Sequence, residues 1–477
     1  MTRTTVLTAP APAAGLSFST LPLTPAQLAN LATLGYLAMT PVQAASLPLA
    51  LAGDDLIVQA QTGSGKTAAF ALALLSKLEL EGQTQPFAVQ ALVLCPTREL
   101  ADQVTTEIRR LARSADNVKT LTLCGGVPLR NQTESLRHGA HVIVGTPGRV
   151  LDHIDRGALT LAALQTLVLD EADRMLDMGF FDDMARVAKL CPKSRQTLLF
   201  SATYPEGIAQ LAQQFLRAPK QVKVGSQVDA AQIEQRFYEI KECDRLHTVA
   251  LLLQHFRPAS TIAFCNTKQQ CRDLEKVLHA QGFAALALHG ELEQRERDQV
   301  LIQFANRSCS VLVATDVAAR GLDIAQLEAV INVDTTPDAP LHIHRIGRTG
   351  RADAKGLALS LASLDEMGSV GKIELVQGSE VTWYPVAELT PAPGGRLLPP
   401  MVTLQIVGGR KEKIRPGDVL GALTGEAGFA ASQIGKINVN EFSTYVAVDR
   451  QIAEPALKAL SAGKVKGKKV KVRRIQD

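Results

Sequence analysis

The sequence is poor in aromatic residues and cysteine and has no long hydrophobic run. Phe, Tyr and Trp together make up 4 % of 477 residues, with a single tryptophan. That still lies within ordinary soluble globular composition, with 46 % apolar and 21 % charged residues. The seven cysteines (95, 124, 191, 243, 265, 271 and 309) are scattered, and none forms a C-x-x-C pair. This excludes a zinc ribbon and a disulfide framework, and it fits thiols kept reduced in a cytoplasm. No apolar stretch approaches the ~18 residues needed to span a bilayer, so no membrane partner is expected. The opening MTRTTVLTAPAPAAG has no long apolar core. It reads as an Ala/Pro-rich disordered arm over residues 1–17 and not as a secretion signal. Heptad repeats are absent too, which makes a monomer the expected state.

What is present is rhythm. Short aliphatic runs alternate with longer amphipathic stretches: LIVQ (56–59), ALVLC (91–95), HVIVG (141–145), TLVLD (166–170) and TLLFS (197–201). After a pause near residues 225–232 the rhythm resumes with TIAFCN (261–266), ALALH (285–289), SVLVATD (310–316), AVINVD (329–334) and LALSL (357–361). Runs of this kind are buried parallel strands covered by helices on both faces. Two blocks of them predict two doubly wound α/β domains, at 18–222 and 233–387, joined by a linker at 223–232. ELTPAPGGRLLPP breaks the pattern and marks a Pro/Gly linker at 388–400 before a small unit at 401–477. That unit holds 14 Lys/Arg against 7 Asp/Glu, while the whole chain carries a net +4. A basic appendage on a near-neutral body points to a polyanion, although charge alone equally fits a solvated lysine-rich tail.

The polar motifs follow the strand runs, where open parallel sheets bind ligands. AQTGSGKT (60–67) lies between a strand and an apolar helix, as a phosphate-binding loop requires, with Ala60 in place of the usual first glycine. Gly63 and Gly65 let backbone N–H groups turn toward anionic oxygens. Lys66 offers a point charge to the β/γ-phosphates, and Thr67 a hydroxyl to Mg²⁺. At the tip of TLVLD, Asp170 is placed to hold Mg²⁺ through water and Glu171 to take a proton from the attacking water. Taken alone, that acidic pair is also what a helix N-cap looks like.

With D-E-A-D after such a loop, the chain resembles the DEAD-box ATP-dependent RNA helicases, from residue 18 to about 365. The resemblance implies two tandem RecA-like domains, and a family that tolerates Ala at the first loop position. It implies that ATP is held by Phe18, Tyr36, Thr40, Gln43, Thr62, Gly63, Ser64, Gly65, Lys66, Thr67 and Asp323. Within that set, GYLAMTPVQ (35–43) places Gln43 on the adenine edge, and Phe18 or Tyr36 against the base. Catalysis falls to Lys66, Asp170, Glu171, Arg348 and Arg351, with Arg348 and Arg351 of HRIGRTGR meeting the γ-phosphate from the second domain. Ser201 and Thr203 of SAT couple hydrolysis to domain closure. RNA is gripped by Pro96, Thr97, Arg98, Gly125, Gly126, Thr146, Pro147, Gly148 and Arg149 in the first domain. In the second domain the RNA residues are Thr267, Arg297, Thr315, Arg320 and Gly321. Hydroxyls, arginines and glycine N–H groups suit phosphate and sugar, so the core is expected to be nearly blind to sequence.

In the small unit, strands near VTLQIV, IGKINV, STYVAV and KKVKVRR alternate with helices in a βαββαβ order, an α+β RRM-like pattern. EFSTYVAV keeps Tyr445 but lacks the glycines of the usual RNA-binding strand, which argues against generic base stacking on the sheet. Through GGRKEKIRPGDVLGALTGEAG, IGKI and YVAV the unit resembles the DbpA-type RNA-binding domain of bacterial DEAD-box proteins. That likeness implies a hairpin of 23S ribosomal RNA as partner, and a role in large-subunit (50S) assembly. Candidate RNA contacts are Lys411, Lys413, Tyr445, Lys464, Lys466, Lys468, Lys469, Lys471, Arg473 and Arg474. Alternating Lys and Val at the end fits a half-buried edge strand. Three other readings stay open: an ATP-regulated RNA clamp, a general RNA chaperone without rRNA preference, and a DNA helicase.

Overall fold

The computed structural model describes residues 6–7, 15–60, 63–80, 82, 86–115, 117–204, 206–224, 233–319, 327–350, 355–394 and 396–475. Its strands, in chain order, build three sheets. The first contains β1 (Val6–Leu7), β2 (Leu56–Gln59), β3 (Ala91–Leu94), β4 (Thr120–Leu123), β5 (Val142–Gly145), β6 (Thr166–Leu169), β7 (Gln196–Ser201) and β8 (Lys220–Lys223). The second contains β9 (Ile233–Glu239), β10 (Thr261–Cys265), β11 (Ala285–Leu288), β12 (Val311–Thr315), β13 (Ala329–Asn332) and β14 (Gly356–Ala362). The third contains β15 (Met401–Val407), β16 (Ile434–Val439), β17 (Ser443–Asp449) and β18 (Lys471–Arg474). The chain divides into two compact units, one holding the first sheet and the other holding the second and third.

The first sheet is parallel throughout, in the order β1-β8-β2-β7-β6-β3-β5-β4. Its inner strands are buried on both sides, between two apolar cores. All ten aliphatic runs of the two large blocks are strands. Asp55, just before β2, draws three strands together where they enter the sheet. Its two carboxylate oxygens accept the N–H groups of Thr197 (2.8 Å) and Arg217 (2.6 Å), which lead β7 and β8. The second sheet is also parallel, in the order β11-β12-β10-β13-β14-β9.

The third sheet is antiparallel in the order β16-β17-β15-β18, with the helix Ala453–Ala462 and the short helix Pro416–Gly421 over one face. Leu404, Ile406, Val446 and Val448 point into that core. β18 is an edge strand: its valine packs inward while Lys471 and Arg473 stay exposed. The connecting segment lies along the helix Arg245–Phe256, with the N–H of Ala392 on the Gln254 carbonyl. At the start of the third sheet, Thr403 Oγ1 lies 2.5 Å from Ser308 Oγ and accepts from Asn306 Nδ2 at 3.2 Å.

Because Asp55 is buried, replacing it would strand two backbone donors. Asp55→Ala should destabilise the first unit by about 2–4 kcal/mol, read as an earlier first transition in thermal or urea melts.

Candidate active site

Within the first unit the sheet order sorts the motifs by position. β2, β7 and β6 are neighbours, and their carboxyl ends carry the GSGKT loop, the SAT turn and the D-E-A-D turn. β3, β5 and β4 are the next three strands, and theirs carry PTREL, TPGR and the Gly125–Gly126 turn. One sheet edge therefore gathers an acidic and phosphate-loop half beside a half rich in arginine, hydroxyls and glycine.

Gly63 and Gly65 take φ of +83° and +93°, a left-handed backbone that glycine adopts without strain. Gly65 caps the helix Lys66–Leu75, whose residues are almost all buried. Ala60 stays outside the left-handed region and packs its methyl into the core, so glycine is not needed there. Lys66 is buried, and its Nζ donates to the Ala60 carbonyl at 2.8 Å. Gln43 forms a capping box with Thr40 and donates through Nε2 to the Gly65 carbonyl at 3.1 Å. A Cβ on Gly65 would come within 2.6 Å of that nitrogen. Gln43 thus braces the loop and still keeps one amide hydrogen and one lone pair for a ligand edge.

Phe18 is 3 % exposed and lies edge-on to Tyr36, ring centroids 6.3 Å apart. Tyr36 is the half-buried member, and its hydroxyl donates to Glu107 at 2.5 Å. Burial pushes its pKa up, and the Glu107 hydrogen bond adds to this.

Asp170 and Glu171 end β6. Glu171 sits at φ +52°, a conformation that costs a non-glycine residue on the order of 1 kcal/mol. Its carboxylate pairs with Arg174 at 2.8 Å, both side chains buried. Asp170 is 2 % exposed. Burial pushes its carboxyl up to about 7; Lys66 opposes the shift and Glu171 adds to it. Its Oδ1 is buried with no hydrogen-bond partner among the described residues.

Asp173 and Arg174 were missed as site residues, although Asp173 ends the D-E-A-D motif and Arg174 follows it directly. Asp173 Oδ2 accepts from the N–H groups of Ala202 (3.2 Å) and Thr203 (2.9 Å) and from Thr203 Oγ1 (2.9 Å). Ser201 Oγ donates to the Thr203 carbonyl at 2.6 Å. The acidic turn after β6 is thereby tied to the turn after β7.

On the other half of the edge, Thr97 caps the helix Arg98–Leu111. Arg98 lies 3.8 Å from Asp102, with its Nη1 buried and without a hydrogen-bond partner among the described residues. Thr146 caps the helix Pro147–Asp155 without a side-chain hydrogen bond to it, and Gly148 faces Asp183. Arg149 turns inward: its Nη1 donates to the Val127 carbonyl and to Gln132 Oε1, each at 2.9 Å. Gln132 in turn donates to the Cys124 carbonyl. Arg149 therefore braces the Gly125–Gly126 turn from beneath.

In the second unit, Thr267 caps the helix Lys268–Ala280, and Thr315 ends β12. Arg297 donates to the Ala318 carbonyl at 2.7 Å. Arg348 is buried after the helix Ala339–Ile346. Its neighbour Arg345, also missed, ties Asp316 (2.6 Å) to Asn266 (3.3 Å). Thr62, Arg320, Gly321, Asp323 and Arg351 lie outside the described residues, as does most of the expected arm and first linker.

Residues 40–211 match the DEAD/DEAH box helicase family, and 244–353 the helicase conserved C-terminal domain. The ATP-dependent RNA helicase DbpA of Escherichia coli K12 is 52 % identical over 459 residues, 96 % of this chain and 99 % of the relative. The chain is a DEAD-box ATP-dependent RNA helicase. The DEAD-box helicase CshA of Bacillus cereus is 43 % identical over 75 % of this chain and 67 % of its own. Saccharomyces cerevisiae Dbp5 bound to RNA and ADP BeF3 superposes with a TM-score of 0.71 at 32 % identity, over 78 % of this chain and 96 % of that one. The two parallel sheets are thus the RecA-like pair of a DEAD-box helicase. Residues 403–474 match the DbpA RNA binding domain, so the small domain binds RNA. The enzyme uses ATP, and no helix among the described residues is long and apolar enough to cross a membrane.

The helicase's residues fit Mg²⁺. The Asp170 oxygen without a partner among the described residues, beside Lys66, is the hard donor such a cation takes. Among the described residues no cluster of three or more His, Cys, Asp or Glu could hold a metal alone.

The Asp170 shift has a sign in stability. The folded carboxyl keeps a proton that the unfolded chain surrenders near its ordinary pKa of 3.8. Ligand-free protein should therefore lose stability as pH climbs from about 4 through 7. Asp170→Asn cannot ionise and should escape this loss, gaining at most roughly 4 kcal/mol on the wild type by pH 8. Melting temperatures of both proteins from pH 5 to 8 check it; they should diverge upward, with Asp170→Asn the more stable.

Proposed function

We propose that this helicase opens short stretches of RNA duplex, and that its small domain directs it to a hairpin of 23S rRNA during large-subunit assembly. It acts in the cytoplasm as a monomer. The observation that carries the reading is the order of domains: a whole helicase core followed directly by a DbpA RNA-binding domain. The 52 % identity with Escherichia coli DbpA, over 96 % of this chain, supports the ATP-dependent RNA helicase part of the reading.

In this reading Lys66 and the N–H groups of residues 62–67 hold the triphosphate, and Gln43 reads the adenine while Tyr36 lies against it. Thr67 and Asp170 hold Mg²⁺, which when bound neutralises charge on the phosphate oxygens. Glu171 orients the attacking water and takes its proton. Its left-handed backbone and its pairing with Arg174 fix the carboxylate's direction before substrate arrives. Arg348 and Arg351 add positive charge to the transferred phosphoryl group; such arginines contribute ~10³–10⁵ in rate in related NTPases. Asp173 passes a change at the acidic turn to Ser201 and Thr203. Arg98, Thr146 and the glycine turns hold one strand by its backbone and bend it from A-form geometry, so the other strand dissociates. Dbp5 was captured with RNA and ADP BeF3 together, which supports joint binding of both ligands.

Glu171→Gln should reduce ATP hydrolysis at least ~100-fold, the usual weight of a general base, while ATP-dependent RNA binding survives. Normal hydrolysis by Glu171→Gln would overturn the base assignment. ATPase stimulation by 23S rRNA should exceed that by an unrelated RNA of equal length, and deletion of 401–477 should erase the difference. Equal stimulation by the intact chain would remove the ribosomal target and leave a general RNA helicase. ATP turnover without strand separation would leave a clamp.

A further inference from the structure

The small domain's sheet lacks an accessible aromatic. Tyr445 is 4 % exposed, and its hydroxyl accepts from Gln405 Nε2 at 3.2 Å. Gln405 is buried in turn and accepts from Arg473 Nε at 2.7 Å. A ring closed off in this way offers no face to a base. Thr403 and Ala447, on the same side of the sheet, are also buried. Base stacking, if the domain uses it, must occur elsewhere.

Phe442 provides such a place. It lies in the turn between β16 and β17 and is 57 % exposed. A single exposed phenylalanine is ordinary in itself; what sets this one apart is its setting. The turn is rigid. The Phe442 carbonyl accepts the N–H of Gly408 (3.0 Å), and the Asn440 carbonyl that of Arg410 (2.8 Å). The Glu441 carbonyl accepts the N–H of Lys411 (3.1 Å), and Asn440 N–H closes onto Ser443 (2.8 Å). Gly409 fits so tightly that an added Cβ would meet the Asn440 carbonyl at 2.2 Å.

The ring's surroundings are cationic. Lys411 Nζ lies 4.3 Å from the ring centroid and 3.3 Å from Glu441. Lys466 Nζ donates to the Lys413 carbonyl, drawing the loop before β18 to the same end of the domain. Of the two acidic residues there, Glu441 is taken up by Lys411, and Glu412 accepts the Gly409 N–H at 2.7 Å. A fixed ring with the Lys411 ammonium over it, and the Lys413–Lys466 contact at the same end of the domain, matches the parts list for a single-stranded nucleotide: a stacking platform plus phosphate charge.

We propose that Phe442 and Lys411 form a one-base platform, at the loop end of the small domain, for an unpaired nucleotide of the bound RNA. This deepens the RNA-binding reading and rests on it. The platform reads unpairedness, because every base has a stackable face. The lysines supply the salt-dependent part of the binding, and the ring supplies a part that salt leaves alone.

The test uses the full chain and two RNAs, a hairpin with a five-nucleotide loop and the same stem as a blunt duplex, each at several salt concentrations. Phe442→Ala should weaken hairpin binding about 5- to 150-fold, the range for loss of one stacked base, with the salt slope unchanged. Phe442→Trp should restore binding, and duplex affinity should not move. Lys411→Ala should instead lower the salt slope by about 1. A 2-aminopurine in the loop should be quenched by the wild type and not by Phe442→Ala. Unchanged hairpin affinity in Phe442→Ala, or equal loss on hairpin and duplex, would overturn the platform. Failure of the wild-type chain to bind either RNA would instead overturn the RNA-binding reading beneath it.

Discussion

Three donors from the turn after β7 converge on a single oxygen of Asp173. The same turn is held from the other side by β2: Ala60 N–H donates to the Ser201 carbonyl at 3.0 Å, and Gln59 Nε2 reaches the Ala202 carbonyl at 3.4 Å. The SAT turn is therefore suspended between the phosphate-loop strand and the acidic strand. Burying a charged carboxylate is costly unless its oxygens are hydrogen-bonded, and here Asp173's bonds carry the site's geometry. Asp170 and Glu171 lie on the same short segment as Asp173. In the proposed cycle, a shift of either when nucleotide arrives passes through these bonds to Thr203 and Ser201.

The strand order makes that arrangement useful. β6 sits between β7 and β3, so the acidic turn borders the phosphate-loop half on one side and the PTREL half on the other. Tyr36 adds a second link inside the same unit, since its hydroxyl ends on Glu107 of the helix that PTREL opens. Arg149 and Gln132 stiffen the glycine turn between β4 and the next helix. One rigid sheet edge thus places the phosphate-loop and acidic motifs within a few strands of the motifs rich in arginine, hydroxyls and glycine.

Much of this was legible in the sequence, and the limits have physical causes. Inner strands read as unbroken aliphatic runs because helices cover both their faces, and every such run is a strand. The strands not read from it, β1, β4, β8 and β9, lie at or next to a sheet edge. TLTL, KQVK and IEQRFYE meet water on part of their surface, so their polar residues dilute the signal. The small domain was readable because its four strands alternate clearly around one core. The candidate site residues were named from the resemblance to family motifs. Asp173, Arg174 and Arg345 were not named, although Asp173 and Arg345 lie within D-E-A-D and HRIGRTGR, because which partners they bind is settled by the fold. The inward course of Arg149 and the burial of Tyr445 were hidden for the same reason: sequence gives the residue type, and packing decides which way it faces.

The claim that the Asp173 carboxylate carries nucleotide state to the SAT turn is tested most directly by RNA-stimulated ATP turnover of Asp173→Ala, alongside ATP affinity and a melting curve confirming the fold. The account predicts ATP affinity within about threefold of wild type and turnover reduced at least ~10-fold, the equivalent of losing about 1.4 kcal/mol of transition-state stabilisation. Wild-type turnover in a folded Asp173→Ala protein would contradict it.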